Sequence, residues 1–282
     1  MVSKQRVAFV GDGALISRLF ADKQISSNIL PVAIYARDVH GNKFPDARIR
    51  PAEDLNTIEE KRVLESMEPD FLFSIGNFDV IVSRPILRAL NGNAINLHYG
   101  LLPYYGGRHG YQWAIRNGEA QSGVTLHSMT HPFDSGRIIS TSVFDISEVD
   151  TGLSVYKKCV TAGRKIAEQF LLDPNPSKCS LGNAQTSGLR KIYYSSDIGT
   201  GEIDFDLSAR EIRNFVRAAD FRPFQSPSYV PWYRDRDGRE YQVYSCRVCQ
   251  PEELPGADDG RAKWRKCRDG YVIFDHVREK NW

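Results

Sequence analysis

Apolar and polar residues fall along this chain in blocks that predict alternating strands and helices. Residues 7–10 are apolar without interruption and end at Gly11-Asp12-Gly13-Ala14, after which Leu15, Ile16, Leu19 and Phe20 recur at helical spacing. A buried strand, a glycine turn and a helix therefore open the chain. A second apolar strand is expected over 31–36, then a polar loop over 37–52 punctuated by Gly and Pro, then a surface helix over 54–66 with Ile58, Val63 and Leu64 among charges. A third strand at 71–75 ends at Gly76-Asn77-Phe78, and an apolar stretch continues through 80–82 and 86–87. Strands that alternate with helices predict an α/β class with a mostly parallel, Rossmann-like sheet, whose ligands sit at the carboxyl ends of the strands.

The densest stretch is 94–139. Ile95 and Leu97 fall on one face of an extended segment, Asn96 and His98 on the other, the period of two that marks a strand. A glycine-rich turn through Gly100-Leu101-Leu102-Pro103 and Tyr104-Tyr105-Gly106-Gly107-Arg108 follows, then a helix over 111–117 that stops at Asn117-Gly118. Another strand is expected at 123–127, and a loop over 131–136 can bring Asp134 back to Asn96 and His98. Beyond it, a strand at 140–146 precedes a helix over 153–172, which Asp173-Pro174-Asn175-Pro176 terminates. Residues 173–190, rich in Pro, Ser, Gly and Asn, read as a link. After it come a short amphipathic helix at 211–219 and strands at 241–248 and 270–274, with Asp237-Gly238 and Asp269-Gly270 as hairpin turns. The expected division is a domain over 1–180 and a small β-rich, OB-like domain over 190–282.

Carboxamide, imidazole and carboxylate at strand ends suit acyl transfer to an amine: the amide donates to a developing oxyanion, and the other two handle protons. The turn at Gly11 and Gly13 has two readings. It is a tight turn at a strand end, or a loop whose amides bind an acceptor's phosphate; it lacks the third glycine of a dinucleotide fingerprint. Five scattered cysteines fit reduced thiols, and no metal site is expected. The CxxC at Cys246 and Cys249 lies on a predicted strand, where alternation sends its thiols to opposite faces. Lys and Arg number 37 against 35 Asp and Glu, and from residue 190 onward 17 against 16, so neither half carries the basic excess that nucleic acid requires. No apolar run is long enough to span a membrane, and the N-terminus lacks signal-peptide character; a cytoplasmic location is expected, with room for a homodimer.

Asn96-Leu97-His98, Leu101-Leu102-Pro103, Gly107, Trp113-Ala114-Ile115, Gly118-Glu119, Gly123-Val124-Thr125 with His127, and Asp134-Ser135-Gly136 resemble, in order and spacing, the folate-dependent formyltransferase family. The resemblance implies a formyltransferase-type α/β fold, 10-formyltetrahydrofolate as co-substrate, and Asn96, His98 and Asp134 as the catalytic trio. It further implies that Phe78, Val80, Ile81 and Val82, the Leu101, Leu102 and Pro103 turn, and Phe133 with Asp134 enclose the pterin. Two positions depart from the pattern: Gly100 stands where many relatives have Ser, and Gly106 where many have Arg. Tyr105, Arg108 and His109, beside the trio in sequence, and Gly11 and Gly13 are candidates for acceptor contacts. The acceptor expected is a primary amine on a nucleotide-linked amino sugar. Methionyl-tRNA formyltransferase and a non-catalytic folate- or nucleotide-binding α/β protein are the alternatives.

Overall fold

A computed structural model describes residues 4–37, 39, 44–77, 80–254 and 264–280. In chain order the elements are β1 (Gln5–Asp12), α1 (Gly13–Leu19), α2 (Lys23–Asn28), β2 (Ile29–Arg37), β3 (Arg48–Arg50), α3 (Ile58–Met67), β4 (Phe71–Ile75), α4 (Arg84–Ala89) and β5 (Ala94–His98). There follow β6 (Gly106–Gly107), α5 (Gly110–Arg116), β7 (Gln121–Ser128), β8 (Ile138–Asp145), α6 (Gly152–Leu172), α7 (Lys178–Leu181) and β9 (Ile192–Tyr193). The chain ends in α8 (Ala209–Ala218), β10 (Trp232–Arg234), β11 (Glu240–Cys249), β12 (Trp264–Cys267) and β13 (Gly270–Glu279). Two compact units share it: Met1–Gly107, Gly123–Val143 and Cys159–Ile192 form the first, and Arg108–Ser122, Phe144–Lys158 and Tyr193–Trp282 the second.

The first unit is built on a seven-stranded sheet of order β3-β2-β1-β4-β5-β7-β8. β1, β2, β3, β4 and β5 run parallel and β7 antiparallel to β5, in keeping with the mostly parallel sheet expected. Strands covered on both faces read as continuous apolar runs, and Val7, Ala8, Phe9 and Val10 are all fully buried. Phe71 and Phe73 of β4 meet Phe170 of α6 at ring separations of 5.8 and 5.9 Å. Where α6 crosses β5, Gly163 brings the helix close: a Cβ there would lie 2.9 Å from Leu97 Cδ2 and 3.3 Å from Tyr99 Cε1. This packing fixes the strand that carries Asn96 and His98.

Two local expectations need correction, and a third region gains a shape. The loop expected over 37–52 contains β3, too short and too charged to show an alternating pattern. In the apolar stretch through 80–87, α4 occupies the second half and places Ile86 and Leu87 in the core. The helix read as a surface element, α3, buries Glu60, which takes Tyr35 Oη at 2.8 Å and a two-pronged Arg48 at 2.6 and 3.1 Å.

The second unit packs α8 and a four-stranded antiparallel sheet of order β10-β11-β13-β12. Ser208 and Glu211 form a capping box that starts α8, and Ile212, Phe215 and Val216 are buried as their helical spacing predicts. Both Asp-Gly pairs fall at hairpins, and Tyr233 stacks on Phe274 and on Tyr241 at 4.8 and 5.4 Å. In the same unit the Arg116 guanidinium lies over the rings of Trp113 and Phe215. No helix among the described residues is long and apolar enough to cross a membrane.

Candidate active site

The antiparallel register sets Asn96 of β5 opposite His127 of β7, and their side chains meet, Asn96 Nδ2 to His127 Nε2, at 3.2 Å. Two residues on, His98 points to the same face. Its Nε2 lies 2.6 Å from the Tyr105 carbonyl, while its Nδ1 lies 3.6 Å from Asp134 Oδ2. Asp134 Oδ1 is in turn 3.4 Å from His127 Nε2. The predicted trio therefore converges within the first unit, and a second imidazole joins it. His127 was visible in the motif, but its role was not, because strand alternation fixes a face and not a cross-strand partner.

Asp134 reaches this place on a loop with unusual backbone. It adopts φ +53°, a left-handed conformation that few residues with a side chain take up. The Gly107 amide donates to Asp134 Oδ2 at 2.7 Å. At the loop's base, Arg137 N donates to Ser128 Oγ and Ser128 N to the Arg137 carbonyl. Across the site, buried Thr125 donates to the Gly100 carbonyl and accepts from Leu102 N, which fixes the turn after β5.

A carbonyl oxygen only accepts, so the partners assign the proton on each imidazole. His98 Nε2 donates to Tyr105 O, and His127 Nδ1 donates to Ser128 O at 2.9 Å. Each outer nitrogen is thus committed to backbone. Each inner nitrogen, His98 Nδ1 and His127 Nε2, faces Asp134 and is the place where a further proton binds. Burial opposes the charged carboxylate, yet His98, His127 and the Gly107 amide outweigh it and hold the Asp134 carboxyl well below the usual carboxylate range. The cluster can take a proton from a bound amine and share it between carboxylate and imidazole.

One departure from the family pattern has a steric reason. A Cβ on Gly100 would lie 2.8 Å from His98 Nε2 and 2.5 Å from the Tyr105 carbonyl, whereas one on Gly106 would meet the movable tip of Ile192, Cδ1 at 2.6 Å. The remaining expected contacts are spread more widely. Val82 is buried in the core with Ile86 and Leu87, Val80 packs against that cluster, and Ile81 is exposed. Leu102 and Tyr105 are buried, Leu101, Pro103 and Phe133 half-buried, and Phe78 lies outside the described residues. Side chains at Gly11 and Gly13 would meet the carbonyls of Ile75 and Arg37 at 2.0 and 2.3 Å, so strand-end packing is sufficient to require glycine at both. Arg108 and His109 belong to the second unit, where Arg108 N donates to Tyr193 O and burial, with Arg108 beside it, brings His109 down to about 4.

Residues 36–171 match the formyl transferase family. The bifunctional polymyxin resistance protein ArnA of Wigglesworthia glossinidia brevipalpis is 34% identical over 167 residues, 59% of this chain and 25% of that protein; the match thus spans about a quarter of that relative's length. Among solved structures, the N-formyltransferase of Helicobacter canadensis, in complex with folinic acid and dTDP-3-aminofucose, superposes with a TM-score of 0.67 at 18% identity, covering 98% of this chain and 100% of that one. The sugar 3N-formyl transferase WlaRD, in the presence of dTDP and 5-N-formyl-THF, gives 0.64 at 21% identity over 99% of both chains. This chain shares the fold of these solved structures, and its residues 36–171, just under half of its length, match the formyl transferase family.

Proposed function

We propose that this protein transfers the formyl group of 10-formyltetrahydrofolate to a primary amine of a nucleotide-linked amino sugar. The observation that carries the reading is Asp134 between two imidazoles, His98 and His127, whose outer nitrogens are held by carbonyls, with the Asn96 amide beside them. Attack of a neutral amine on the formyl carbon makes the formyl oxygen anionic and the nitrogen cationic, so a donor must face the one and an acceptor the other. Asn96 supplies the donor. His98 Nδ1 and Asp134 receive the proton that the nitrogen gives up, and His127 Nε2 accepts from the Asn96 amide and so orients it. In this reading His98 acts through Nδ1, since its Nε2 proton is already engaged.

Exposed Ile81 and half-buried Leu101, Pro103 and Phe133 suit a flat heterocycle that needs apolar walls and a few backbone hydrogen bonds, and these residues with Leu102 and Asp134 would hold the pterin. Val80 and Val82 would contribute backbone or supporting contacts, and Tyr105, with Gly11 and Gly13, would lie toward the acceptor. The folate and aminosugar ligands of the H. canadensis protein and the nucleotide and folate of WlaRD favour this substrate class. The balanced charge from residue 190 onward, 17 basic against 16 acidic, disfavours initiator tRNA. The same reading takes the enzyme to be cytoplasmic, acting without nucleic acid or membrane and free to form a homodimer. Incubation of candidate nucleotide aminosugars with 10-formyltetrahydrofolate should yield a product heavier by one formyl group. Formylation of methionyl-tRNA with none of any aminosugar would overturn the assignment.

A further inference from the structure

Residues 183–191, which sequence composition marks only as a link, are tied by hydrogen bonds to both loops that build the site. On one side, Asn183 exchanges two backbone bonds with Ile138, each of 2.8 Å, and Gly182 O accepts from Arg137 Nη1. Gln185 Nε2 then donates to the carbonyls of Asp134 and Gly136 at 3.0 and 2.7 Å, and Arg190 Nη2 donates to Phe133 O at 2.9 Å. On the other side, Lys191 N donates to Pro103 O at 2.9 Å and its carbonyl accepts from Gly106 N at 3.0 Å. Between those two anchor points sits Tyr105, whose carbonyl holds His98, and directly after them Gly107, whose amide holds Asp134.

We propose that 183–191 is a strap that sets the catalytic geometry, with Gln185 and Arg190 as positioning residues for Asp134. The contacts of the strap are of the kind such a role requires. It buries little apolar surface, since Leu189 is half exposed and Asn183, Ala184 and Thr186 are exposed, so hydrophobic burial is not its main contribution. Its polar contacts converge instead on the carbonyls around Asp134, a residue whose left-handed backbone persists only where neighbours hold it. One amide group, that of Gln185, bridges the carbonyls on either side of Ser135. Loss of that bridge frees the loop to relax toward an ordinary conformation, and the carboxylate then leaves the two imidazoles and the Gly107 amide.

The inference rests on the reading that Asp134 acts in the reaction, and the test separates the two. Gln185→Leu and Arg190→Met are compared with the unmodified protein by steady-state kinetics, by thermal melting, and by following the Asp134 carboxyl carbon by NMR as pH is varied. Gln185→Leu should lower kcat by about tenfold and Arg190→Met by about threefold. KM for the folate should stay within about twofold, with little change in melting. The pH at which Asp134 takes up its proton should rise in Gln185→Leu. An Asp134 titration unmoved in Gln185→Leu, whether kcat is unchanged or falls only with lost folding, would refute the strap. If Asp134→Asn keeps near-normal turnover, the catalytic reading fails, while the carboxyl titration in Gln185→Leu still decides whether the strap positions this side chain.

Discussion

Two acids of the first unit are largely shielded from solvent, Glu60 on α3, which is buried, and Asp134 on the loop before β8, whose side chain is 11% exposed, and their partners set them apart. Glu60 is 3% exposed, gripped by Arg48 and by the Tyr35 hydroxyl, and the Arg48 bond holds it below its usual range. Asp134 is also held low, but between two imidazoles. A guanidinium does not release its proton in a protein, whereas an imidazole does so near neutrality. The Glu60 cluster is therefore a static tie between β2, β3 and α3, and the Asp134 cluster can pass a proton. Burial and a depressed carboxyl do not mark chemistry by themselves; a partner able to exchange the proton does.

The comparison breaks most visibly at Asp134. Asp134→Ala should lower turnover by at least about 100-fold, as should Asn96→Ala and His98→Ala, with folding and folate binding retained; kinetics alongside a melting curve check this. Near-normal turnover in Asp134→Ala would make both acids structural. Glu60→Ala should do the opposite. It strands Arg48 and Tyr35 and should remove about 2–3 kcal/mol of stability in a urea titration, with kcat/KM at a permissive temperature unchanged.

A smaller effect is expected at Gly100. Gly100→Ala pushes Tyr105 O away from His98 Nε2, releases the tautomer, and should lower kcat by about tenfold; nitrogen NMR of His98 should show the proton no longer confined to Nε2. The smallest effect is on the pH dependence of stability. Both folded carboxyls titrate below their unfolded values near 4, so each contributes stability above about pH 4 that is lost as pH falls through the folded value. Glu60→Gln and Asp134→Asn should each flatten the acid side of the stability curve, followed by denaturant midpoints between pH 5 and 2. An unaltered slope in either variant would remove that carboxylate from the account.

Much of this was legible in the chain. Alternation alone set Asn96 and His98 on one face of a strand, and the spacing of Asp134-Ser135-Gly136 marked the loop that returns to them. What stayed hidden depends on neighbours distant in sequence. His127 gains its place from cross-strand register, and Tyr105 and Gly107 act through backbone groups, which leave no side-chain signature. Glu60 sits among the charges of a helix that reads as solvent-facing until Arg48 and Tyr35 arrive from two strands. Gln185 lies in a polar stretch whose composition says only that it is not a helix or strand. The glycines at 11, 13, 100 and 106 read as turn positions, and nothing in the sequence names the atoms that crowd them.

Gly163 carries a warning for protein engineers. A glycine inside a long helix is an obvious target for replacement by alanine, a change that ordinarily gains about 1 kcal/mol. Here the added methyl would press on Leu97 and Tyr99, the residues that flank His98 in sequence. Alanine at 163 therefore trades the usual helix gain for a displaced strand beside His98, so this position belongs among those held fixed.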